Sequence, residues 1–290
     1  MKPLDKDLDI KIRSLLRSCG QQAKQMATEG LQVFQKGPGD FVTNVDQMLD
    51  RQLTAEFSAL FPQDGVITEE NAASRQRFQE RYSRLWCIDP LDGTDDFIHR
   101  QKDYAVMVGL LENEYPIAGW IYAPESDMSY FGGKDLGLWQ AIGDMAPEPI
   151  SIGEPKSSGA QTVVIGVKDR HHFGDAIADK VPEIKFGFSQ GSFGLKVMNV
   201  ILGHAGMYLY LNGRVKIWDT VGPLALAKTA GLVCCDLDGN PISYAPDAMD
   251  LESLAHQQSI VIGWASYIES LLPRMRAAIA QILQSEQSRL

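Results

Sequence analysis

Hydrophobic residues near the start of the chain recur with helical spacing. Over residues 6–29 they return every three or four positions with Lys and Arg between them, which predicts an amphipathic helix. A second series, over residues 45–57, keeps a period of four. Thr43 precedes it as a predicted N-cap, and Asp46 follows at the spacing of a capping box. Two helices are therefore expected before the first strand, separated by a break at the Gly-Pro-Gly sequence of residues 37–39.

The pattern then changes from helical spacing to short apolar runs. Alternating or continuous apolar residues bounded by turn residues predict strands at residues 65–68, 86–88, 104–111, 117–122, 128–131 and 137–142. Residues 112–116 form the expected hairpin turn between two of them. The first half is thus predicted to be helical at its start and mostly an antiparallel sheet after it.

A stretch rich in Pro, Gly and Ser, residues 145–159, predicts a boundary. Beyond it, predicted strands (162–167, 185–188, 206–211, 232–235 and 259–265) alternate with predicted helices (173–179, 193–202, 220–230 and 268–283). This alternation favours a layered α/β lobe. We therefore expect an N-terminal α+β lobe at residues 1–150 and a C-terminal α/β lobe at residues 151–290.

The composition is that of an ordinary globular protein. The chain has 290 residues, of which 44% are hydrophobic and 22% are charged. A net charge of −10 provides no broad basic surface for a nucleic-acid polymer. The first residues lack the apolar core of a signal peptide and no run of about 18 apolar residues occurs, which predicts a cytoplasmic protein without a membrane partner. The cysteines lack zinc-ligand spacing and are predicted to be reduced and structural: Cys19, Cys87, Cys234 and Cys235.

The strongest candidate for chemistry is a pair of acids that follows the strand at residues 86–88. Asp89 and Asp92 are three residues apart with Pro90 between them, so both carboxylates and the Leu91 carbonyl can face one small volume. Two carboxylates this close repel each other unless a cation lies between them. Mg²⁺ prefers such hard oxygen ligands and keeps positions for water and phosphate. The alternative is an Asx turn that caps a short helix.

Four other acids are candidate ligands or catalytic groups. Glu69 and Glu70 follow an apolar strand, where adjacent acids must be solvated in a loose polar loop or bind a cation. Asp219 lies at a strand-to-helix turn and could reach across a lobe interface to a metal. Its alternative role is to cap the helix that Pro223 helps to start. Asp46 could belong to the site, or it could simply be an acidic residue that the helix dipole favours at the start of a helix.

Two places suit the binding of an anion. Gly93 and Thr94 begin a predicted helical turn, whose free backbone N–H groups would form an anion pocket. Ser192 and Lys196 lie about one turn apart at another predicted helix start and suit a phosphate or hydroxyl clamp. A solvated surface is the alternative for this second pair.

The separated acidic motifs match one known pattern. Glu69-Glu70, Asp89-Pro90-Leu91-Asp92-Gly93-Thr94 and Trp218-Asp219 resemble, in this order and at these separations, the inositol monophosphatase superfamily of Mg²⁺-dependent, lithium-sensitive phosphatases. The likeness covers nearly the whole chain, including Asp40-x-Val42-Thr43-x-x-Asp46. It implies an α/β (α+β) fold, a layered αβαβα sandwich with the site between two lobes. A phosphatase of the haloacid dehalogenase type would instead need Asp-x-Asp-x-Thr, which this spacing excludes.

The resemblance also implies a role for each matching residue. Thr94 and Asp46 would hold the attacking water, and Glu70 would lie behind the metal ligands or bind a third ion. The Gly93 and Thr94 amides would hold the phosphate. The implied ligands of two or three Mg²⁺ ions are Glu69, Asp89, Asp92, Asp219 and the Leu91 carbonyl. Inhibition by Li⁺ is implied as well.

Residues near Asp219 favour a substrate with a second phosphate. Inositol monophosphatases typically have an inositol-binding acid seven positions before this aspartate, whereas this chain has Asn212, followed by Arg214 and Lys216. Arg and Lys pair well with phosphate oxygens. Gly191-Ser192-x-x-x-Lys196 and Ile217-Trp218-Asp219-Thr220 resemble the bacterial 3′(2′),5′-bisphosphate nucleotidase branch, in which a Lys-Glu pair often stands where this chain has Asp95-Asp96.

The predicted activity is therefore removal of the 3′-phosphate of adenosine 3′,5′-bisphosphate, a by-product of sulfate assimilation. Ser192, Lys196 and Arg214 are the predicted substrate-binding residues. The first alternative is an inositol or fructose bisphosphate phosphatase. The second is a non-catalytic, metal-stabilised regulatory protein, which the presence of Thr94 and Asp46 disfavours. The expected partner is a small phosphate ester, and a homodimer is left open.

Overall fold

The computed structural model describes residues 6–80, 82–155, 161–187 and 191–287. Residues 1–5, part of the predicted boundary stretch (156–159) and the end of one predicted strand (Phe188) lie outside the described residues.

The described residues form helices and strands with the following bounds. In the first half, the helices are α1 (Lys6–Glu29), α2 (Asn44–Leu60) and α3 (Thr94–Ile98), and the strands are β1 (Val33–Gly37), β2 (Asp40–Thr43), β3 (Gly65–Thr68), β4 (Arg84–Asp92), β5 (Ala105–Glu112), β6 (Tyr115–Ala123), β7 (Met128–Gly133), β8 (Gly137–Ile142) and β9 (Glu148–Pro149). In the second half, the helices are α4 (Val167–Lys180), α5 (Phe193–Ile201), α6 (Ile217–Thr229) and α7 (Ala265–Gln287), and the strands are β10 (Gln161–Ile165), β11 (Ile184–Gly187), β12 (Met207–Tyr210), β13 (Val233–Cys235) and β14 (Ile260–Gly263). Short 3₁₀ helices span Ala72–Phe78 and Pro246–Ala248.

Two large sheets alternate with three helical layers. The first sheet has the order β3-β4-β5-β6-β7-β8-β9 and is antiparallel except for the β3–β4 pair. The second has the order β11-β10-β12-β14-β13, in which β10 is parallel to both neighbours. Helices α1 and α2 pack on the first sheet, α5 and α6 lie between the sheets, and α4 and α7 pack on the second. This αβαβα sandwich confirms the predicted fold class.

The first two helices follow the predicted pattern. Helix α1 has the predicted bounds, and α2 begins after Thr43. The Thr43 hydroxyl accepts hydrogen bonds from the Val45 and Asp46 N–H groups, while the Asp46 carboxylate accepts one from the Thr43 N–H. This is the predicted capping box, and it fixes the chain at the point where Asp46 enters the helix.

Several elements differ from the prediction. The expected break at residues 37–39 is the turn of the β1–β2 hairpin, which was not predicted because its strands pair with each other and are mostly exposed. Helix α4 begins at Val167, not at residue 173, because the polar residues 168–172 give no apolar period. Strand β9 extends the first sheet into the stretch predicted as the boundary. The division into lobes near residue 150 stays a prediction.

The environment of the cysteines agrees with the prediction. All four are free and buried. Burial raises the pKa of Cys87, Cys19, Cys234 and Cys235, so their thiols are protonated and unreactive at neutral pH. Within the described ranges, none of the helices has the length and apolar character that crossing a bilayer requires.

Three glycines let α6 lie directly on the first sheet. A Cβ added to Gly109 of β5 would come 2.2 Å from the backbone N of Gly222 in α6. A Cβ added to Gly119 of β6 would come 2.3 Å from the Gly222 carbonyl oxygen. The backbones therefore touch where side chains would normally separate a helix from a sheet.

We expect Gly119→Ala to destabilise the protein by about 3 kcal/mol, the upper end of typical overpacking costs, because the new methyl group meets backbone that cannot rotate away. Urea unfolding measures the change. Gly153→Ala is the matched control, since a Cβ there has nothing within 4 Å. Equal stability of the two variants would contradict the assigned contact.

Candidate metal centre

The site lies at the edge where β3 and β4 end. These strands are parallel, so their C-terminal ends lie side by side, with Thr68 opposite Ile88. Glu69 and Asp89 come next, and the Glu69 N–H donates to the Ile88 carbonyl at 3.2 Å. Asp89 is 1% exposed, and its Oδ1 accepts the Leu91 N–H at 2.9 Å. The Asx turn weighed as an alternative is thus present, and it holds a buried carboxylate at this edge.

Helix α6 brings a further acid to this edge. Asp219 lies in its first turn, where its Oδ2 accepts the Lys216 N–H at 2.7 Å. The helix begins at Ile217, before the predicted start at residue 220, and Pro223 lies inside it rather than at its start. Carboxylate oxygens of Asp89, Asp92 and Asp219 all lie within 4.8 Å of one another. Acids from the two halves of the chain therefore meet at one point.

Burial makes this cluster unfavourable without a cation. Desolvation raises the pKa of Asp89 well above its usual value, and the charge of Glu69 raises it further. Desolvation and then the charge of Asp92 raise the pKa of Asp219 to about 8. A divalent cation with a preference for hard oxygen ligands, such as Mg²⁺, fits this donor set and would favour the ionised carboxylates.

Lys36, which the sequence analysis missed, pairs with both neighbouring glutamates. Its Nζ, on β1, donates to Glu69 Oε1 at 2.9 Å and to Glu70 Oε1 at 2.8 Å. Burial lowers the pKa of Lys36, but the two glutamates outweigh this effect and the pKa is raised. Burial also raises the pKa of Glu70, to about 7. The sequence carries no local signal for this pairing, because the two glutamates lie more than 30 residues further along the chain.

Asp50 is a second missed residue. It is buried on α2 one turn after Asp46, and its Oδ1 accepts the Glu70 N–H at 3.2 Å. Burial raises the pKa of Asp50. Asp50 therefore supports the backbone that carries the two glutamates. Its position beside the apolar stripe of α2 was the feature of the sequence from which its burial could have been predicted.

Thr94 and Asp46 are in direct contact. Thr94 Oγ1 lies 3.0 Å from Asp46 Oδ1 and 3.0 Å from the Leu91 carbonyl oxygen. Asp46 is buried, which raises its pKa to about 6. Above that pH the carboxylate accepts the Thr94 hydroxyl proton in a hydrogen bond, and the hydroxyl oxygen can accept a hydrogen bond from a water molecule.

The residues at the start of α5 face the acids. Ser192 Oγ donates to Asp92 Oδ2 at 2.5 Å, and the Gly194 N–H donates to the same oxygen at 3.1 Å. Lys196 is 6% exposed and its Nζ donates to the Gly191 carbonyl. Burial lowers the pKa of Lys196, and the charge of Asp92 opposes this effect. Ser192 and Lys196 are buried, so the alternative prediction of a solvated surface is wrong.

A cleft of about 530 Å³ opens beside the acids. Its walls include the hairpin turn at residues 39–41, the start of α4 at residues 166–168, Tyr208, Tyr210 and Asn212. Gly93 lines it with a φ of +94°, and a Cβ there would come 2.8 Å from the Asp103 carbonyl oxygen, so glycine is required. Arg214 is exposed and lies outside this lining.

Comparison with known proteins gives consistent matches. The family model described as "Inositol monophosphatase family" matches residues 5–285. The chain is 25% identical to the inositol-1-monophosphatase of Bacillus subtilis, over 82% of this chain and 88% of that protein. It is 26% identical to the 3′(2′),5′-bisphosphate nucleotidase CysQ of Aggregatibacter actinomycetemcomitans, over 79% and 84%.

Solved structures show the same fold. An IMPase of Thermotoga maritima superimposes with a TM-score of 0.77 at 20% identity, covering 96% of this chain and all of that one. An IMPase/NADP phosphatase complexed with Mg²⁺ and phosphate superimposes with a TM-score of 0.74 at 22% identity, covering 93% of this chain and 95% of the other.

Without Mg²⁺, the protein is expected to lose stability as the pH rises from about 4 to about 8. The pKa of Asp219 is raised from its ordinary 3.8 to about 8, so its contribution is fully present below the unfolded pKa and is lost as the pH rises through 8. Urea unfolding of chelator-treated protein measures this dependence. Asp219→Asn should flatten the curve, and Mg²⁺ should stabilise the wild type most near pH 8. An equally steep curve for the variant would contradict the assignment.

Proposed function

The chain belongs to the inositol monophosphatase family, and from this premise we propose that it is a Mg²⁺-dependent phosphomonoesterase. The main support is the buried cluster of Asp89, Asp92 and Asp219, which gathers hard oxygen ligands beside an open cleft. A structural neighbour that holds Mg²⁺ and phosphate has the same fold.

In this proposal the metal ligands of two or three Mg²⁺ ions are Glu69, Asp89, Asp92, Asp219 and the Leu91 carbonyl. Bound Mg²⁺ supplies charge neutralisation and Lewis-acid polarisation of the phosphoryl oxygens. Glu69 uses Oε1 to accept a hydrogen bond from Lys36, which leaves Oε2 for a cation. Glu70 shares the same lysine and so limits the repulsion between the adjacent glutamates. We expect Li⁺ to inhibit by competing for these oxygen ligands.

Thr94 and Asp46 orient the attacking water in the proposed reaction. The ionised Asp46 accepts a hydrogen bond from Thr94, so the Thr94 oxygen accepts one from the water and directs its lone pair toward phosphorus. The water oxygen forms a bond to phosphorus in line with the ester oxygen, whose bond to phosphorus breaks. One proton of the water ends on the ester oxygen, which leaves as an alcohol, and the other remains on the inorganic phosphate. The Gly93 and Thr94 N–H groups hold the phosphate at the start of α3.

The proposed substrate is adenosine 3′,5′-bisphosphate, which would be converted to AMP and phosphate in the cytoplasm during sulfate assimilation. The relative from Aggregatibacter actinomycetemcomitans carries this type of activity in its name. In this chain the cleft wall has the neutral Asn212 and the cation Lys168, which suits a second phosphate better than a further carboxylate would. Ser192 and Lys196 contribute by holding the Asp92 side of the cleft, and Arg214 can meet a group that extends beyond it.

An inositol or sugar phosphatase is the second candidate. The Bacillus subtilis relative named as an inositol-1-monophosphatase matches this chain at nearly the same identity as the nucleotidase relative. The metal ligands and the Thr94–Asp46 pair would serve either substrate, because they act on the phosphoryl group alone.

The first test is phosphate release with Mg²⁺, with and without Li⁺, from adenosine 3′,5′-bisphosphate, inositol 1-phosphate and fructose 1,6-bisphosphate. We expect the adenosine compound to have the highest kcat/KM by about tenfold, equivalent to about 1.4 kcal/mol. Preference for inositol 1-phosphate would exclude the nucleotidase assignment and keep the phosphatase. No release from any of the three would favour a non-catalytic, metal-stabilised protein.

The second test removes the water-orienting hydroxyl. Thr94→Val is expected to lower kcat by about 100-fold, with little change in KM, because a misplaced attacking water can cost about that factor in rate. The matched control is Thr229→Val, whose hydroxyl bonds only the Ala225 carbonyl within α6 among its described contacts. An unchanged kcat in Thr94→Val would remove Thr94 from the mechanism.

A further inference from the structure

A buried histidine lies behind the helix turn that carries Asp219. His256 is 2% exposed, and its Nε2 lies 2.8 Å from Oγ1 of Thr220, the residue after Asp219. Its Nδ1 has no hydrogen-bond partner in the part of the chain that the structure describes. The reaction proposed above does not use this histidine. A buried polar atom without a partner is uncommon in a folded protein and calls for an explanation.

The backbone around His256 is joined to the segment that leads into α6. Residues 254–256 lie antiparallel to residues 215–217. The contacts are the His256 N–H to the Val215 carbonyl at 3.0 Å, the Ile217 N–H to the Leu254 carbonyl at 3.0 Å, and a bridge between Lys216 and Ala255. His256 therefore holds the chain on both sides of Asp219, by its backbone before the acid and by its side chain after it.

The hydrogen-bond network assigns the imidazole tautomer. Burial lowers the pKa of His256 to about 4, so the ring is neutral near pH 7 and has one N–H. A proton on Nε2 donates to Thr220 Oγ1 and leaves Nδ1 as an unpaired acceptor, which costs less than an unpaired buried N–H. The Thr220 hydroxyl can then donate to the Lys216 or the Ile217 carbonyl, each 3.3 Å away.

These contacts converge on the residue that orients Asp219. The Lys216 N–H donates to Asp219 Oδ2, and the Lys216 carbonyl accepts from the Asp219 N–H at 3.2 Å. The Tyr244 ring packs edge-on against the imidazole, with centroids 5.1 Å apart, and restricts rotation of the histidine. A shift of Thr220 would therefore move the turn from which the Asp219 carboxylate projects.

We propose that His256 is a positioning residue for Asp219, acting through a hydrogen bond from its Nε2–H to Thr220 that fixes the first turn of α6. This inference rests on the proposed role of Asp219 as a Mg²⁺ ligand. Residues that orient a metal ligand typically change metal affinity by about 10- to 100-fold when they are removed.

The test compares His256→Leu, His256→Gln and Thr220→Val by calorimetric titration of Mg²⁺ into chelator-treated protein, together with kcat and the Mg²⁺ concentration for half-maximal rate. His256→Leu and Thr220→Val are each expected to weaken Mg²⁺ binding by about tenfold. His256→Gln carries an N–H at a similar reach and should restore binding to within about twofold of the wild type. Because the two single variants remove the same hydrogen bond, the double variant should be no weaker than either.

Ile279→Val is the control for a general loss of stability, since Ile279 is buried in the separate cluster around α7. It should lower the urea midpoint and leave Mg²⁺ affinity unchanged. If it weakened Mg²⁺ binding as much as His256→Leu does, the specific role would be overturned. Unchanged Mg²⁺ affinity in folded His256→Leu or Thr220→Val would overturn the proposed role as well, and so would a His256→Gln variant that binds Mg²⁺ as weakly as His256→Leu.

Calorimetry measures Mg²⁺ binding without turnover. Failure of the phosphatase assay would therefore contradict the proposed function, while the comparison of Mg²⁺ affinities among the His256 and Thr220 variants could still be made.

Discussion

The close contact between α6 and the first sheet determines where the rest of the structure can lie. Gly109 and Gly119 meet the backbone of Gly222 at distances that admit no side chain. Because the helix lies this close to the sheet, its first turn reaches the edge where β4 ends, and Asp219 lies next to Asp89 and Asp92. The same helix contributes to the core shared by both sheets, so the position of the acids and the packing of the molecule depend on one another.

The clustered acids concentrate negative charge, and hydrogen-bond donors at the edges of the cluster partly offset it. Lys36 pairs with Glu69 and Glu70 at one side, while the start of α5 donates two hydrogen bonds to Asp92 at the other. These contacts leave Asp89 and Asp219, whose pKa values burial raises most clearly, at the centre. A cation between these two carboxylates would therefore relieve the largest electrostatic cost in the site.

The sequence predicts features that depend on neighbouring residues and misses those that depend on distant ones. The period of α2, its capping box and the Asp89–Asp92 pair are all local, and the structure contains each of them. Lys36 was missed because its partners, Glu69 and Glu70, follow β3 and are far from it in the sequence, and nothing in the exposed hairpin marks it as paired. Ser192 was recognised as part of a polar pair, but its hydrogen bond to Asp92 depends on how α5 meets β4. The sequence pattern identified the candidate metal motif, whereas the contacts that hold its acidic side chains could be seen only in the fold.

The acidic cluster and much of the cleft wall come from different elements. Asp46, Asp89 and Thr94 come from α2, β4 and α3, where capping, strand pairing and a required glycine fix the backbone. Much of the cleft wall comes from the second half, at the start of α4, on β12 and at Asn212. A wall residue can change without moving the acids, because it shares no hydrogen bond with them in the described structure. Relatives of nearly equal identity to this chain carry different activities in their names, and under the proposed function the cleft wall is the part of the site that would distinguish their substrates.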